Sequence, residues 1–403
     1  MFYILKFILN ISTNFLVAIL HLFIKKEKNL VLFGAWMGQS FSDNSRFLFQ
    51  FLHYQSDRNV VWVSRNKQII AQLNELGYTA VYMHSLRSYY YHLKAGTHIV
   101  CNVPFRTKDF KGDILGELSL FAKKIQLWHG IPLKGIGKLS THNDNSITIK
   151  EVRRMSAVLK RTFFYRHLVN VSGGWDDYRI LATSELIKEV FSEAFELGKN
   201  KIIVTSYPRN CDCIEYLPEE KGALRQIEKQ KTILYVPTFR EKNQLIQHPL
   251  ENKKFREFLI DRNFLWVEKK HLADHENNNE EISSEVATLN LPPTFDLNTI
   301  LPFVEILITD YSSISFDFIY FGKPIQYFVP DFNLYLKDER GFSLDFEEYT
   351  VGWQSNNLEQ LINNIDQQVK NPDDLSEKIS LLKHKVYKNE KAFYAQIESE
   401  LGL

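Results

Sequence analysis

The sequence predicts an α/β protein of two doubly wound domains facing a cleft, with a membrane-associated helix at its N-terminal end. Three observations predict it. From Asn29 onward, short β-branched runs such as Val60–Ser64 and Val304–Thr309 alternate with helix-length amphipathic stretches. The chain has 403 residues, more than one ordinary domain holds. Residues 1–24 are mostly apolar and run straight into Lys25, Lys26 and Lys28. The expected division is a membrane-association segment over 1–28, an N-terminal domain over 29–206 and a C-terminal domain over 207–403.

In the first segment, polar residues fall at Lys6, Asn10, Thr13, Asn14 and His21. On a helix they trace a narrow stripe, so the segment reads as lying in the cytoplasmic face of a bilayer, its lysines on anionic headgroups. A helix packed on the protein itself and a spanning anchor are the other readings. The expected location is therefore the cytoplasmic side of the cell membrane, held peripherally.

In the N-terminal half, strands are expected at Leu30–Phe33, Val60–Ser64, Thr79–Met83, His98–Asn102, Ile125–Trp128 and Lys201–Val204, with helices at Arg46–His53, Lys67–Leu76 and Ser85–Lys94. Gly34, Gly38 and Ser42-Asp43-Asn44 form a glycine- and cap-rich loop, and Tyr207-Pro208-Arg209-Asn210 reads as a linker turn. In the second half, strands are expected at Thr232–Val236, Phe264–Val267 and Val286–Leu289. Helices are expected at Asn252–Ile260, Leu297–Pro302, Leu358–Val369 and Pro372–Lys388.

Between these lies the stretch around which the second half is organised. A strand ending at Thr309 meets Asp310, Ser312 and Ser313, then a helix through Phe321, then a strand over Ile325–Val329. Serine hydroxyls and free amides at a strand's carboxyl end suit a phosphate or pyrophosphate; an ordinary capped turn has the same pattern.

Net charge is +1, which gives no argument for nucleic acid. The 3 cysteines lack metal-site spacing and fit a reduced compartment. No acidic cluster resembles a divalent-metal clamp, and neither metal nor cofactor is expected.

The candidate chemistry follows predicted strand ends. His129, in Trp128-His129-Gly130-Ile131-Pro132-Leu133-Lys134, is suited to take a proton near neutral pH; a structural histidine is the alternative. Gly130 lets backbone approach a ligand, and Lys134 suits a phosphate. Lys269, Lys270 and His271, and separately Arg240, are candidates for neutralising phosphate oxygens. Asp317 either orients a ligand or is a surface acid. Lys150, Arg153, Arg154, Lys160, Arg161, Arg166 and His167 are interleaved with apolar residues, as in a membrane-surface or polyanion-binding segment or an interdomain helix.

Taken together, the motifs resemble the CDP-glycerol glycerophosphotransferase family, the teichoic-acid polymerases and primases. Four blocks match in order: Phe33-Gly34 through Asp43-Asn44-Ser45-Arg46, Trp128-His129-Gly130 through Lys134, Tyr207-Pro208-Arg209-Asn210, and Leu307 through Asp317. Tyr235–Arg240 and Arg340-Gly341-Phe342 match more weakly. The chain departs from the family at Ile131, at Leu272 after His271, and at Cys211.

The resemblance implies a GT-B fold of two Rossmann-type domains and monotopic membrane association. It implies transfer of a polyol phosphate from CDP-glycerol to a hydroxyl of a lipid-linked glycan or polyol-phosphate polymer, capsular or teichoic. Catalytic roles follow for His129, His271 and Asp317. Substrate-binding roles follow for Gly130, Lys134, Arg240, Lys269, Thr309, Asp310, Ser312, Ser313 and Arg340. A CDP-ribitol donor, a nucleotide-sugar transferase of the same architecture and a non-catalytic membrane-surface protein remain the other readings.

Overall fold

The structure is a computed structural model. It describes residues 15–102, 112–140, 178–238, 248–269, 286–338 and 341–403. Arg240, Lys270, His271, Arg340 and the basic segment 150–167 lie outside the described residues, as do residues 1–14.

By contact the chain divides into two compact units. The first joins Met1–His129, Asn143–Ile214 and Lys391–Leu403; the second joins Gly130–His142 and Glu215–Glu390. The expected boundary lay at 206/207. By contact it lies at 214/215, and two short segments are exchanged between the halves.

The first unit carries a parallel sheet of seven strands in the order β3-β2-β1-β4-β5-β6-β7. These are β1 (Glu27–Gly34), β2 (Asn59–Ser64), β3 (Ala80–Tyr82), β4 (Ala95–Val100), β5 (Lys123–Gln126), β6 (Arg179–Ala182) and β7 (Ile202–Val204). β1 is an interior strand: Val31, Leu32 and Phe33 are fully buried, flanked by Val60 and Val61 on one side and Thr97 and His98 on the other. Gly34 must lack a side chain: a Cβ there would stand 2.4 Å from the Asp113 carbonyl oxygen. Some helices of this unit start on side-chain caps. Asn66 accepts from the amides of Gln68 and Ile69, and Ser184 from that of Ile187.

Two expectations for this unit need correction. The sequence reading left out β6 and the following helix Glu185–Phe195. Tyr207–Asn210 is no linker: Pro208–Asn210 is a buried 3-10 turn packed on the helix Asp43–Gln55.

The second unit repeats the plan with six parallel strands in the order β10-β9-β8-β11-β12-β13. They are β8 (Thr232–Val236), β9 (Leu265–Lys269), β10 (Thr288–Leu291), β11 (Ile306–Thr309), β12 (Ile325–Phe328) and β13 (Trp353–Ser355). Ile233, Trp266, Ile306 and Ile308 face Phe255, Leu259, Leu361 and Ile365 in one core. β13 and the helices Pro218–Ile227, Phe332–Asp338 and Phe346–Tyr349 were not expected from the sequence, nor was Tyr394–Leu401, which belongs to the first unit.

At the N-terminal end, residues 15–20 are helical. Val17 packs on Leu93 and Leu120, whereas Phe15, Leu16, Leu22 and Phe23 are exposed. Lys26 does not join Lys25 and Lys28 at the surface. Its ammonium donates to the His92 carbonyl at 3.2 Å, and burial pulls its pKa down to about 7. No described helix is long and apolar enough to cross a membrane.

Candidate active site

In a parallel sheet all carboxyl ends lie along one edge. In the first unit, that edge receives Trp36–Gly38 after β1, Cys101 after β4, Trp128 and His129 after β5, and Tyr207–Asn210 after β7. Three of the four matched blocks therefore meet here.

His129 is the centre of the arrangement. The residue is half-buried, and its Nδ1 is sealed from solvent with no hydrogen-bond partner among the described residues. Its ring stacks on Trp128 at 4.4 Å between centroids and lies 5.7 Å from the ring of Trp36. Burial lowers its pKa below the usual 6.5; the charge of Asp43 and the Cys101 backbone oppose that shift, and Arg209 adds to it. The imidazole is therefore neutral at pH 7, the state a general base needs.

Both carbonyls flanking His129 are held. Asn44 donates from Nδ2 to the Trp128 oxygen at 3.0 Å. Arg209 donates from Nη1 to the His129 oxygen at 3.2 Å and to Asp43 Oδ1 at 2.6 Å. The side chains of Arg209 and Asp43 are each only 3% exposed, so their charges are matched out of water. Asn44 Oδ1 in turn accepts from the Arg209 amide at 3.2 Å. The backbone here is strained: Asp43 has φ 65° and Trp128 φ 61°. Gly130, with φ 146°, sits where only glycine is comfortable.

Below this layer is Asp113. Its carboxylate accepts from the amides of Met37 (2.6 Å), Cys101 (2.9 Å) and Asn102 (2.7 Å), joining the loops after β1 and β4. Burial pushes its pKa up to about 7 against those three donors.

The second unit gathers a different set. Asp310, after β11, accepts from the Thr238 amide at 2.9 Å and the Thr238 hydroxyl at 2.6 Å. Lys134 donates to that hydroxyl at 3.1 Å. Lys134 belongs with this unit because its backbone pairs with Phe342, and Gly135 donates to the Gly341 carbonyl at 2.8 Å. Thr309 donates its hydroxyl to the Val236 carbonyl at 2.7 Å, which ties β11 to β8. Ser312 and Ser313 are half-exposed at the start of the seven-residue helix Ile314–Tyr320; Ser313 makes no side-chain cap. Asp317 lies on that helix and is buried, so it is not a surface acid. Lys269 ends β9 and donates to the Phe295 carbonyl at 2.7 Å.

The structure thus gathers Lys134 and Asp310 around Thr238, puts the Thr309 hydroxyl on the Val236 carbonyl, and leaves Lys269 on a backbone oxygen. Asp43, Asn44 and Arg209 received no role from sequence reasoning, although all three lie in matched blocks. Their signal was membership of those blocks. Their function shows only in contacts across 84 and 166 residues of chain. Trp36 and Asp113 were missed entirely.

A family model described as CDP-Glycerol:Poly(glycerophosphate) glycerophosphotransferase matches residues 16–394. The chain is 25% identical over 360 residues to the teichoic acid poly(glycerol phosphate) polymerase of Bacillus subtilis, spanning 83% of this chain but 43% of that protein. It is 27% identical over 365 residues to the enzyme of that name from Bacillus spizizenii, covering 84% of this chain and 83% of the other. It is 24% identical over 350 residues to the teichoic acid glycerol-phosphate transferase of Staphylococcus aureus, covering 83% of each. Its fold is that of the wall teichoic acid polymerase TagF, with a TM-score of 0.68 at 19% identity over 93% of this chain and 89% of that one. A histidine-to-asparagine TagF variant soaked with CDPG is similar at TM-score 0.67 and 18% identity over 93% of this chain and 88% of that one.

Proposed function

Because the chain belongs to the CDP-glycerol:poly(glycerophosphate) glycerophosphotransferase family, we propose that it transfers glycerol phosphate from CDP-glycerol to a hydroxyl of a membrane-linked teichoic-acid-type or capsular polymer. The observation that carries the chemistry is the neutral His129 with both flanking carbonyls held. The acceptor oxygen attacks the β-phosphorus of CDP-glycerol. Its proton passes to His129, the bond from the β-phosphorus to the bridging oxygen breaks, and CMP leaves with that oxygen. Lys134, Ser312 and Ser313 serve the donor's phosphates; Arg240, Lys269, His271 and Arg340 complete the set by family resemblance. Asp310 organises Thr238 and Lys134 for that task.

The test is release of nucleotide from purified protein given CDP-glycerol, CDP-ribitol or a nucleotide sugar with a polyol-phosphate acceptor. CMP from CDP-glycerol is the expected result. CMP from CDP-ribitol alone would change the donor, and nucleotide release from the sugar donor alone would overturn the reading.

Ser312→Ala with Ser313→Ala is expected to weaken CDP-glycerol binding and leave acceptor binding nearly unchanged. Each hydrogen bond to a charged oxygen contributes about 1.5–3 kcal/mol. Calorimetry reads the difference, and unaltered donor affinity would remove both serines from the donor site.

The same reading places the protein on the cytoplasmic membrane surface. Exposed Phe15, Leu16, Leu22 and Phe23 beside exposed Lys25 and Lys28 supply an apolar face with a basic flank. High salt or alkaline carbonate should release at least part of the protein from membranes. Extraction by detergent alone would indicate a spanning anchor instead.

A further inference from the structure

Trp36 is an exposed indole placed beside the proposed base. It is 39% exposed, yet it is not loose: Nε1 donates to Asp43 Oδ2 at 3.1 Å. Its backbone is also committed. Trp36, Met37 and Gly38 have φ 45°, 58° and 74°, three left-handed residues in succession, two of them with side chains. Such a turn persists only when its surroundings impose it. The Met37 amide is fixed on the buried Asp113 carboxylate at 2.6 Å, and the Gly38 carbonyl accepts from the Ser64 hydroxyl at 2.8 Å and the Arg65 amide at 2.7 Å. The Arg65 guanidinium is held on the same turn, with Nε donating to the Met37 carbonyl at 3.1 Å and Nη1 facing His84 Nε2 at 2.6 Å. The nearby Asp43 charge does not oppose an anion, because Arg209 meets it at 2.6 Å.

We propose that Trp36 and Arg65 form an acceptor subsite for a polyol-phosphate chain end: the C–H face of the polyol lies on the indole, and the phosphate before it lies on the guanidinium. The assignment rests on the glycerophosphotransferase reading and adds to it what the acceptor must look like. An indole face accepts the C–H groups of a short polyol without requiring hydrogen bonds in register. A guanidinium hydrogen-bonded to the next residue of the same turn selects an acceptor that already carries phosphate. Together they favour an enzyme that extends a polyol-phosphate chain over one that starts it on an uncharged glycan. The 5.7 Å between the rings of Trp36 and His129 keeps a hydroxyl on that face within reach of the base.

The test measures acceptor binding without donor, so it does not depend on turnover. A short synthetic oligo(glycerol phosphate) is titrated calorimetrically into the full-length protein and its variants. The parent is expected to bind. Trp36→Ala should weaken binding on the order of tenfold, whereas Trp36→Phe, which keeps a ring but loses the Asp43 hydrogen bond, should stay near the parent. Arg65→Gln should weaken binding and flatten its salt dependence. An uncharged lipid-linked disaccharide should bind the parent more weakly than the oligomer. A parent that does not bind the oligomer, or a Trp36→Ala protein that binds as the parent does, overturns the subsite. Loss in Trp36→Phe equal to that in Trp36→Ala overturns the stacking role. CMP release from CDP-glycerol by the parent judges the glycerophosphotransferase reading separately.

Discussion

His129→Ala is expected to fold, to bind CDP-glycerol as the parent does, and to transfer about 10²- to 10⁴-fold more slowly, the usual cost of removing a general base. The defect should persist at saturating donor, because His129 acts on the acceptor's proton. The pH profile carries a sharper signature. A buried imidazole has its pKa below 6.5, so the basic form predominates above that value and activity should fall only as pH drops below it. The acid limb of the parent therefore lies below the position of an unperturbed histidine. It should vanish from the residual activity of the variant. Near-normal turnover by His129→Ala at saturating donor would sink the mechanism and move the base to His271 or Asp317.

Arg209→Met should be the most damaging change to the scaffold of this site. It removes the guanidinium that meets Asp43 at a side chain only 3% exposed, and it takes one donor from the His129 carbonyl. Breaking one side of a buried pair costs about 3–5 kcal/mol. Asp43→Asn is the companion change, since asparagine tolerates the φ of 65° at that position. The double variant should recover part of the loss, because neither charge is then stranded. Urea unfolding followed by tryptophan fluorescence provides the comparison. Strictly additive losses would show that the two charges do not depend on each other.

The sheets were legible where burial on both faces leaves a β-branched run. Val60–Ser64, Thr232–Val236 and Val304–Thr309 are such runs, and each became a strand within two residues of its expected bounds. β6 is Arg-Ile-Leu-Ala and β13 is Trp-Gln-Ser; strands this short show no periodicity and are held by their neighbours. At the site, His129 was legible because a histidine after a strand end has an evident chemistry. Arg209 was not, because an arginine after a proline reads as a surface turn until the fold buries it against Asp43. Lys134 was placed with His129 on proximity in sequence, and the backbone pairing with Phe342 takes it into the other unit instead.

The exchange of segments between the units has a consequence for biosynthesis. The first unit includes residues 391–403: Lys123 donates to the Leu401 and Gly402 carbonyls at 2.7 Å each, and Phe51 stacks on Tyr394 at 4.8 Å. The second unit needs only 130–142 and 215–390. A chain leaving the ribosome therefore has every residue of the second unit available before the first can close. Until residues 391–403 arrive, Phe51 lacks the ring of Tyr394 and Lys123 lacks the two carbonyls it donates to. A nascent chain arrested before residue 391 should show a protease-resistant second unit attached to a first unit that is still cut. The half of the protein that is translated first is the half that is finished last.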